Sequence, residues 1–199
     1  MSAAAIPRLS VEEYFALDDD AELSSEYVDG VLFPLSASSI AHASLAARLG
    51  WRLEERLEER LENGPCMTLI SGVRVRINHA TYLYPDIFVV CGKPIVTEEH
   101  ADTVTNPKTI VEILSPATQD YEYGTKFELY RQLSSLEEYV LVSQDQQRIE
   151  VFCRMTNQEW RLLRYEGAET ILPLESLNIS IPLREIYKGI VDDAPVVET

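Results

Sequence analysis

The feature that most constrains this chain is a carboxylate in the middle of an apolar, β-branched run. Lys108-Thr109-Ile110-Val111-Glu112-Ile113-Leu114-Ser115-Pro116 is too short for a helix and is bounded by Pro107 and Pro116. It therefore reads as a buried strand. Glu112 then has apolar neighbours on both sides. An unpaired charge in that place costs several kcal/mol, so such a group is paired with a base, protonated or bound to a cation. The plain reading is a buried Glu matched by an Arg or Lys. The reading with chemistry in it is a carboxylate that helps to hold a metal ion.

The 199 residues suffice for one domain with a real core, taken here as 1–190 with a flexible tail over 191–199. No apolar run is long enough to span a membrane. Met1 to Arg8 lacks the basic and apolar regions of a secretion signal. Cys66, Cys91 and Cys153 lie far apart without CxxC spacing, which predicts reduced core thiols and a cytoplasmic protein. The net charge of −16 argues against a general grip on nucleic acid, which normally needs a basic footprint. Any such role requires a metal ion or a local basic strip.

Along the chain, Ser10-Val11-Glu12-Glu13 is a capping box that opens a short helix to about Leu17. The acidic run Asp18 to Glu22 reads as a solvated loop. Glu26-Tyr27-Val28-Asp29-Gly30-Val31-Leu32-Phe33 places Asp-Gly between two apolar runs, a type I′ hairpin signal. A long helix is predicted from Ser39 to Glu62, ended by Asn63-Gly64-Pro65. Leu45, Leu49, Leu53, Leu57 and Leu61 form its buried stripe. Arg48, Arg52, Arg56 and Arg60 run beside that stripe. Interleaved with Glu54, Glu55, Glu58, Glu59 and Glu62, they read as a salt-bridged face rather than a phosphate strip.

Val73, Val75 and Ile77 alternate with Arg74 and Arg76, the pattern of a strand with one wet face. Tyr84 to Cys91 reads as a strand with Pro85-Asp86 at its head, and 92–106 as a polar loop. After the Glu112 strand come a turn at Ser115–Thr118 and an amphipathic helix over 121–133. Strands follow at Glu138–Val142, Arg148–Arg154 and Glu159–Tyr165. A short helix starts at Pro182 and runs to Tyr187.

Side chains alternate along a strand, so Asp86 shares a face with Phe88 and Val90, and Glu112 shares one with Leu114. If those strands are neighbours, the two acids meet at a common edge and repel unless a cation lies between them. Two carboxylates with a backbone carbonyl and water make an oxygen site of the kind Mg²⁺ accepts. Lys126, with Tyr130 one turn on, sits on the following helix and can bring an ammonium toward a phosphoryl group. Each residue also has a structural reading: Asp86 as the start of a strand, Lys126 as a solvated helix residue, His42 as a packing residue. No Walker loop, HExxH or GxSxG motif is present.

The ordered set Tyr84-Pro85-Asp86-Ile87, Ile110-Val111-Glu112-Ile113-Leu114-Ser115-Pro116-Ala117-Thr118, Lys126 with Tyr130, and Glu138-Tyr139-Val140-Leu141-Val142 resembles a large bacterial family. These are restriction-endonuclease-like proteins of the PD-(D/E)xK nuclease superfamily, mostly of unknown function. Glu26-Tyr27-Val28-Asp29-Gly30 and His42 also match the family's N-terminal pattern, and the resemblance runs from about Leu9 to Ile186. It implies an α/β fold: a restriction-endonuclease-like mixed β-sheet flanked by helices, with additional antiparallel strands.

The resemblance further implies that Asp86, Glu112 and the Ile113 carbonyl bind Mg²⁺ or Mn²⁺, that Lys126 is the catalytic lysine, and that Glu26 is an added acid near the metal. The superfamily lysine normally stands two residues after the Glu. Here that position is Leu114, so the amine is expected to have moved to Lys126. The implied activity is endonucleolytic hydrolysis of DNA phosphodiesters, with nucleic acid and a divalent metal as partners. Two other functions fit the same residues. One is a non-catalytic assembly or binding domain of this fold, favoured by the charge and by Leu114. The other is a hydrolase of a small phosphate-containing molecule. Separately from the resemblance, apolar strands such as Glu138 to Val142 and the leucine-striped helix offer a self-association surface, which predicts a homodimer.

Overall fold

The structure, a computed structural model, describes residues 8–35, 38–59 and 65–191. The chain runs α1 (Val11–Asp18), β1 (Ser25–Val28), β2 (Val31–Pro34), α2 (Ile40–Glu58), β3 (Cys66–Ile70), β4 (Arg74–Asn78), β5 (Thr81–Leu83), β6 (Ile87–Cys91), β7 (Thr103–Val104) and β8 (Thr109–Leu114). A continuous helical segment follows, made of α3 (Gln119–Tyr121), a π-helical turn (Glu122–Lys126) and α4 (Phe127–Tyr130). Then come β9 (Glu138–Ser143), β10 (Arg148–Arg154), β11 (Trp160–Glu166), β12 (Ile171–Leu174), β13 (Ile179–Pro182) and α5 (Leu183–Tyr187).

Two mixed sheets carry the fold, one in the order β11-β10-β9-β8-β6-β3 and the other in the order β2-β1-β5-β4-β7. In the larger sheet β8 and β9 are parallel, and the helical segment after β8 makes the crossover between them. Burial sorts by parity along its strands. Ile87, Val89, Val111, Ile113, Val140 and Val142 pack on one face with Leu45, Leu49 and Leu53 of α2 and with β12, β13 and α5. Phe88, Val90, Ile110, Leu114, Tyr139 and Leu141 pack on the other with Phe127 and Tyr130 of α4 and with Val75 and Leu83 of the smaller sheet. Both faces are covered, which is why the central strands read as continuous apolar runs.

The capping box is present, with Glu13 N–H donating to the Ser10 side chain and Ser10 N–H to the Glu13 carboxylate. Asp29 and Gly30 take φ of 49° and 86° and join β1 to β2 as the Asp-Gly pair requires. Leu45, Leu49 and Leu53 are buried and Leu57 packs against them, while Leu61, Arg60 and Glu62 lie outside the described residues. Arg52 and Arg56 pair with Glu55 and Glu185, as a salt-bridged face predicts. The tail over 192–199 lies outside the described residues.

Several expectations need correction. Arg74 is not on a wet face and Asp18 is not in a solvated run. Arg74 is 3% exposed and binds Asp18 at 3.0 Å, Asp19 at 2.6 Å and Asp102 at 2.8 Å. The Tyr84 hydroxyl also donates to Asp18, and this network fastens α1 to the smaller sheet. Cys66 and Cys91 are not reduced thiols; they face each other across β3 and β6 and form a disulfide, leaving Cys153 free. The ground for a cytoplasmic assignment goes with them. Tyr84 to Asp86 precede β6 rather than belonging to it, the crossover helix ends at Tyr130, and the helix expected from Pro182 is preceded by the hairpin β12–β13. The strand 138–142 is buried within the chain, as are Leu45, Leu49 and Leu53 of the leucine stripe.

Candidate active site

Antiparallel pairing of β6 with β8 sets Ile87 opposite Val111, so the next residues outward, Asp86 and Glu112, are neighbours on one face of the sheet. Asp86 N–H donates to Glu112 Oε2 at 3.3 Å. Ile113 N–H donates to Asp86 Oδ2 at 2.7 Å, and His42 Nε2 from the first turn of α2 lies 3.0 Å from the same oxygen. Both acids line a cavity of about 350 Å³, together with His42, Ser39, Tyr84, Ile113, Glu122 and Lys126.

Lys126 is at the end of the π turn, and its ammonium is enclosed by three carboxylates. Glu112 Oε1 lies at 2.8 Å, Glu26 Oε1 at 3.0 Å and Glu122 Oε1 at 3.4 Å. The Tyr130 hydroxyl donates to Glu112 Oε1 at 2.9 Å, and the Tyr121 hydroxyl to Glu26 Oε2 at 3.2 Å. Glu122 is held from below by the hydroxyl of Tyr139, which donates to both its backbone carbonyl and its carboxylate. A π turn widens the helix by one residue and is found often where function dictates local geometry. Here it falls on the segment that delivers Glu122 and Lys126 to one point.

Burial pushes the Glu112 carboxyl well above the usual carboxylate range. Lys126 pulls it back, while Glu122, Asp86 and Glu26 add repulsion. Glu122 is raised in the same way, by burial first and against Lys126. Burial pulls the Lys126 ammonium down, yet Glu112, Glu26 and Glu122 outweigh it and hold its pKa well above the ordinary lysine value. For His42 burial again lowers, and the hydrogen bond and charge of Asp86 leave it raised. The ammonium therefore keeps its proton, and the acids around it compete for further positive charge.

Every residue singled out from the sequence arrives here: Asp86, Glu112, Lys126, Glu26 and the backbone of Ile113. Leu114, which stands where a lysine was expected, is buried under the helix, and the Lys126 amine reaches Glu112 instead. His42, read as a packing residue, contacts Asp86. Glu122 and Tyr121 were missed. Glu122 stands four residues before Lys126, and that i,i+4 spacing was the available signal.

Residues 11–184 match the Uma2 family, described as "Putative restriction endonuclease". The chain belongs to the Uma2 family. Among its relatives are two uncharacterized proteins of Synechocystis sp. strain PCC 6803. One, slr1290, is 30% identical over 94% of this chain and 96% of its own length. The other, sll1609, is 27% identical over 90% and 99%. The fold matches a crystal structure from Anabaena variabilis described as a "putative nuclease belonging to DUF820", with a TM-score of 0.74 at 14% identity over 92% of this chain and 99% of that one. That match agrees with the mixed α/β architecture described above.

Among the described residues no group of three or more His, Cys, Asp or Glu side chains meets at a spacing that could hold a metal. Two carboxylates completed by backbone and water are still a donor set that Mg²⁺ accepts, because it retains several waters. Asp86 Oδ1 takes no hydrogen bond among the described residues, and Glu112 Oε2 takes only the long one from Asp86 N–H. Three carboxylates surround one ammonium and Asp86 stands beside Glu112, so the oxygen donors present fit a divalent cation.

Proposed function

We propose that this protein is a metal-dependent phosphodiester hydrolase acting on nucleic acid, with DNA as the substrate and Asp86 and Glu112 as the acids that hold Mg²⁺ or Mn²⁺. The observation that carries this reading is the convergence of those two carboxylates, from adjacent strands, with the Lys126 ammonium 2.8 Å from Glu112 in one cavity. Family membership agrees with it. A divalent ion would lower the pKa of a bound water and offset charge on the scissile phosphate, and the Ile113 carbonyl is its proposed third protein ligand.

The chain's own residues supply the rest. Ile113 N–H and His42 fix the Asp86 carboxylate from one side. Tyr130 fixes Glu112 and leaves its second oxygen toward Asp86. Lys126 stabilises negative charge as it develops on the phosphoryl oxygens, and Glu26 and Glu122 keep it protonated for that task.

Incubation of the purified protein with single-stranded and duplex DNA, with Mg²⁺ or Mn²⁺ against chelator, tests this. Cleavage that needs the metal and is lost in Asp86→Asn and Glu112→Gln is the expected result. Absence of products, or equal cleavage by both variants, overturns it. The net charge of −16 favours a second reading in which the same site hydrolyses a small phosphodiester, and an aryl phosphodiester turned over while DNA stays intact supports it. Saturation of Glu112 Oε1 by Lys126 and Tyr130 is what a non-catalytic domain of this fold would use as a lock, and inertness toward both substrates supports that third reading.

A further inference from the structure

A second cavity, of about 930 Å³, lies between α2 and α5 and is lined by Arg48, Trp51, Arg52, Gln147, Arg184 and Lys188, with Glu185. In a chain with 33 acidic and 17 basic residues, four cations facing one space with a single carboxylate is a local reversal of charge. Arg52 and Arg184 are partly neutralised by Glu55 and Glu169. Arg48 is not: its guanidinium donates to the Lys188 carbonyl, which gathers both residues at the cavity mouth. Trp51 is 57% exposed, and the Arg52 guanidinium lies 4.6 Å from its ring centre, which fixes the indole as a platform. Packing does not explain an exposed Trp on a wet helix face.

The two cavities share supports. Helix α2 places His42 in the first and Trp51 in the second, nine residues on, roughly 13 Å along the helix axis and about half a turn round it. The turn between β9 and β10 places Gln144 in the first and Gln147 in the second. A stacking ring beside unpaired cations is the arrangement by which proteins hold single-stranded nucleic acid, with a base on the ring and phosphates on the cations.

We propose that this cleft binds a single-stranded segment of nucleic acid, with a base stacked on Trp51 and its phosphates at Arg48 and Lys188, as an extension of the site at Asp86 and Glu112. The proposal rests on the reading of that site as one that acts on nucleic acid. It also answers the objection from net charge, because the strand is gripped locally and repelled elsewhere.

The test is a fluorescence titration of the full chain with an oligothymidylate, in chelator so that no cleavage occurs. The protein has two tryptophans, and the other, Trp160, is half-buried beneath Arg154, so quenching reports Trp51. Saturable quenching is expected at low salt. Lys188→Glu and Trp51→Ala should each weaken binding about tenfold by anisotropy of a labelled strand, the former by less as salt rises. Both positions lie at the surface, and a thermal melt checks that the variants fold. The titration in chelator reads binding without cleavage, so a protein that binds but never cleaves refutes only the hydrolase reading. No quenching at low salt, or affinity indifferent to Lys188→Glu and Trp51→Ala, overturns the cleft proposal.

Discussion

Lys126 is enclosed by Glu26, Glu112 and Glu122, so its removal leaves buried acids without a counter-charge. Breaking a buried pair from one side costs about 3–5 kcal/mol, and Lys126→Met should lose that much in urea unfolding at neutral pH. The loss should shrink in acid. The raised carboxyls of Glu112 and Glu122 take up protons in the fold before they do when unfolded, so their contribution is most favourable below the ordinary carboxylate value and is lost as pH rises through the folded one. A loss below about 1 kcal/mol at neutral pH would mark the cluster as solvated. His42 gives a second, independent reading. Its raised pKa should appear above the ordinary 6.5 in an NMR titration in chelator. Asp86→Asn should lower it, because the hydrogen bond and charge of Asp86 are the largest influences that raise it. Charged His42 contributes stability below its unfolded pKa and loses it as pH rises through the folded one. An unchanged titration in Asp86→Asn would remove Asp86 as its partner.

At the scale of elements, the strand around Glu112 and the head of β6 were legible because a two-residue period and flanking prolines leave little choice of conformation. The period also placed Asp86 on the face of Phe88 and Val90, and Glu112 on that of Leu114. It could not tell which strands are neighbours, and so the carboxylate cluster stayed conditional until β6 and β8 were seen to pair. Arg74 shows the limit of the same reasoning. An alternating arginine signals a wet face unless distant acids cover it, and Asp18 and Asp102 come from elements far away in sequence. The π turn was likewise invisible, and the Tyr139 hydroxyl that bonds the Glu122 carbonyl within it comes from a strand beyond the helix. The Cys66–Cys91 bridge was hidden by the same ignorance of pairing. It closes a loop of sequence separation 25, for which chain entropy predicts about 3.5 kcal/mol of stabilisation. Guanidinium unfolding with and without reductant checks this, and coincident curves would show that the bridge contributes nothing.

For the whole molecule, two sheets and a long helix bury a core on both faces of the central strands and leave the polar work to one edge. Among the described residues no helix is long and apolar enough to cross a membrane. The charge of −16 made a nuclease reading uncomfortable from composition alone, because composition carries no spatial information. In space, acids gather around Lys126 and cations gather around Trp51, and a divalent ion at the first place is what would let a polyanion approach it. Calorimetric titration of Mn²⁺ or Mg²⁺ into the intact protein, Asp86→Asn and Glu112→Gln is the most direct measurement of that claim. The account predicts a saturable site in the intact protein that disappears in both folded variants. An isotherm identical in all three, or no binding in any, would contradict it.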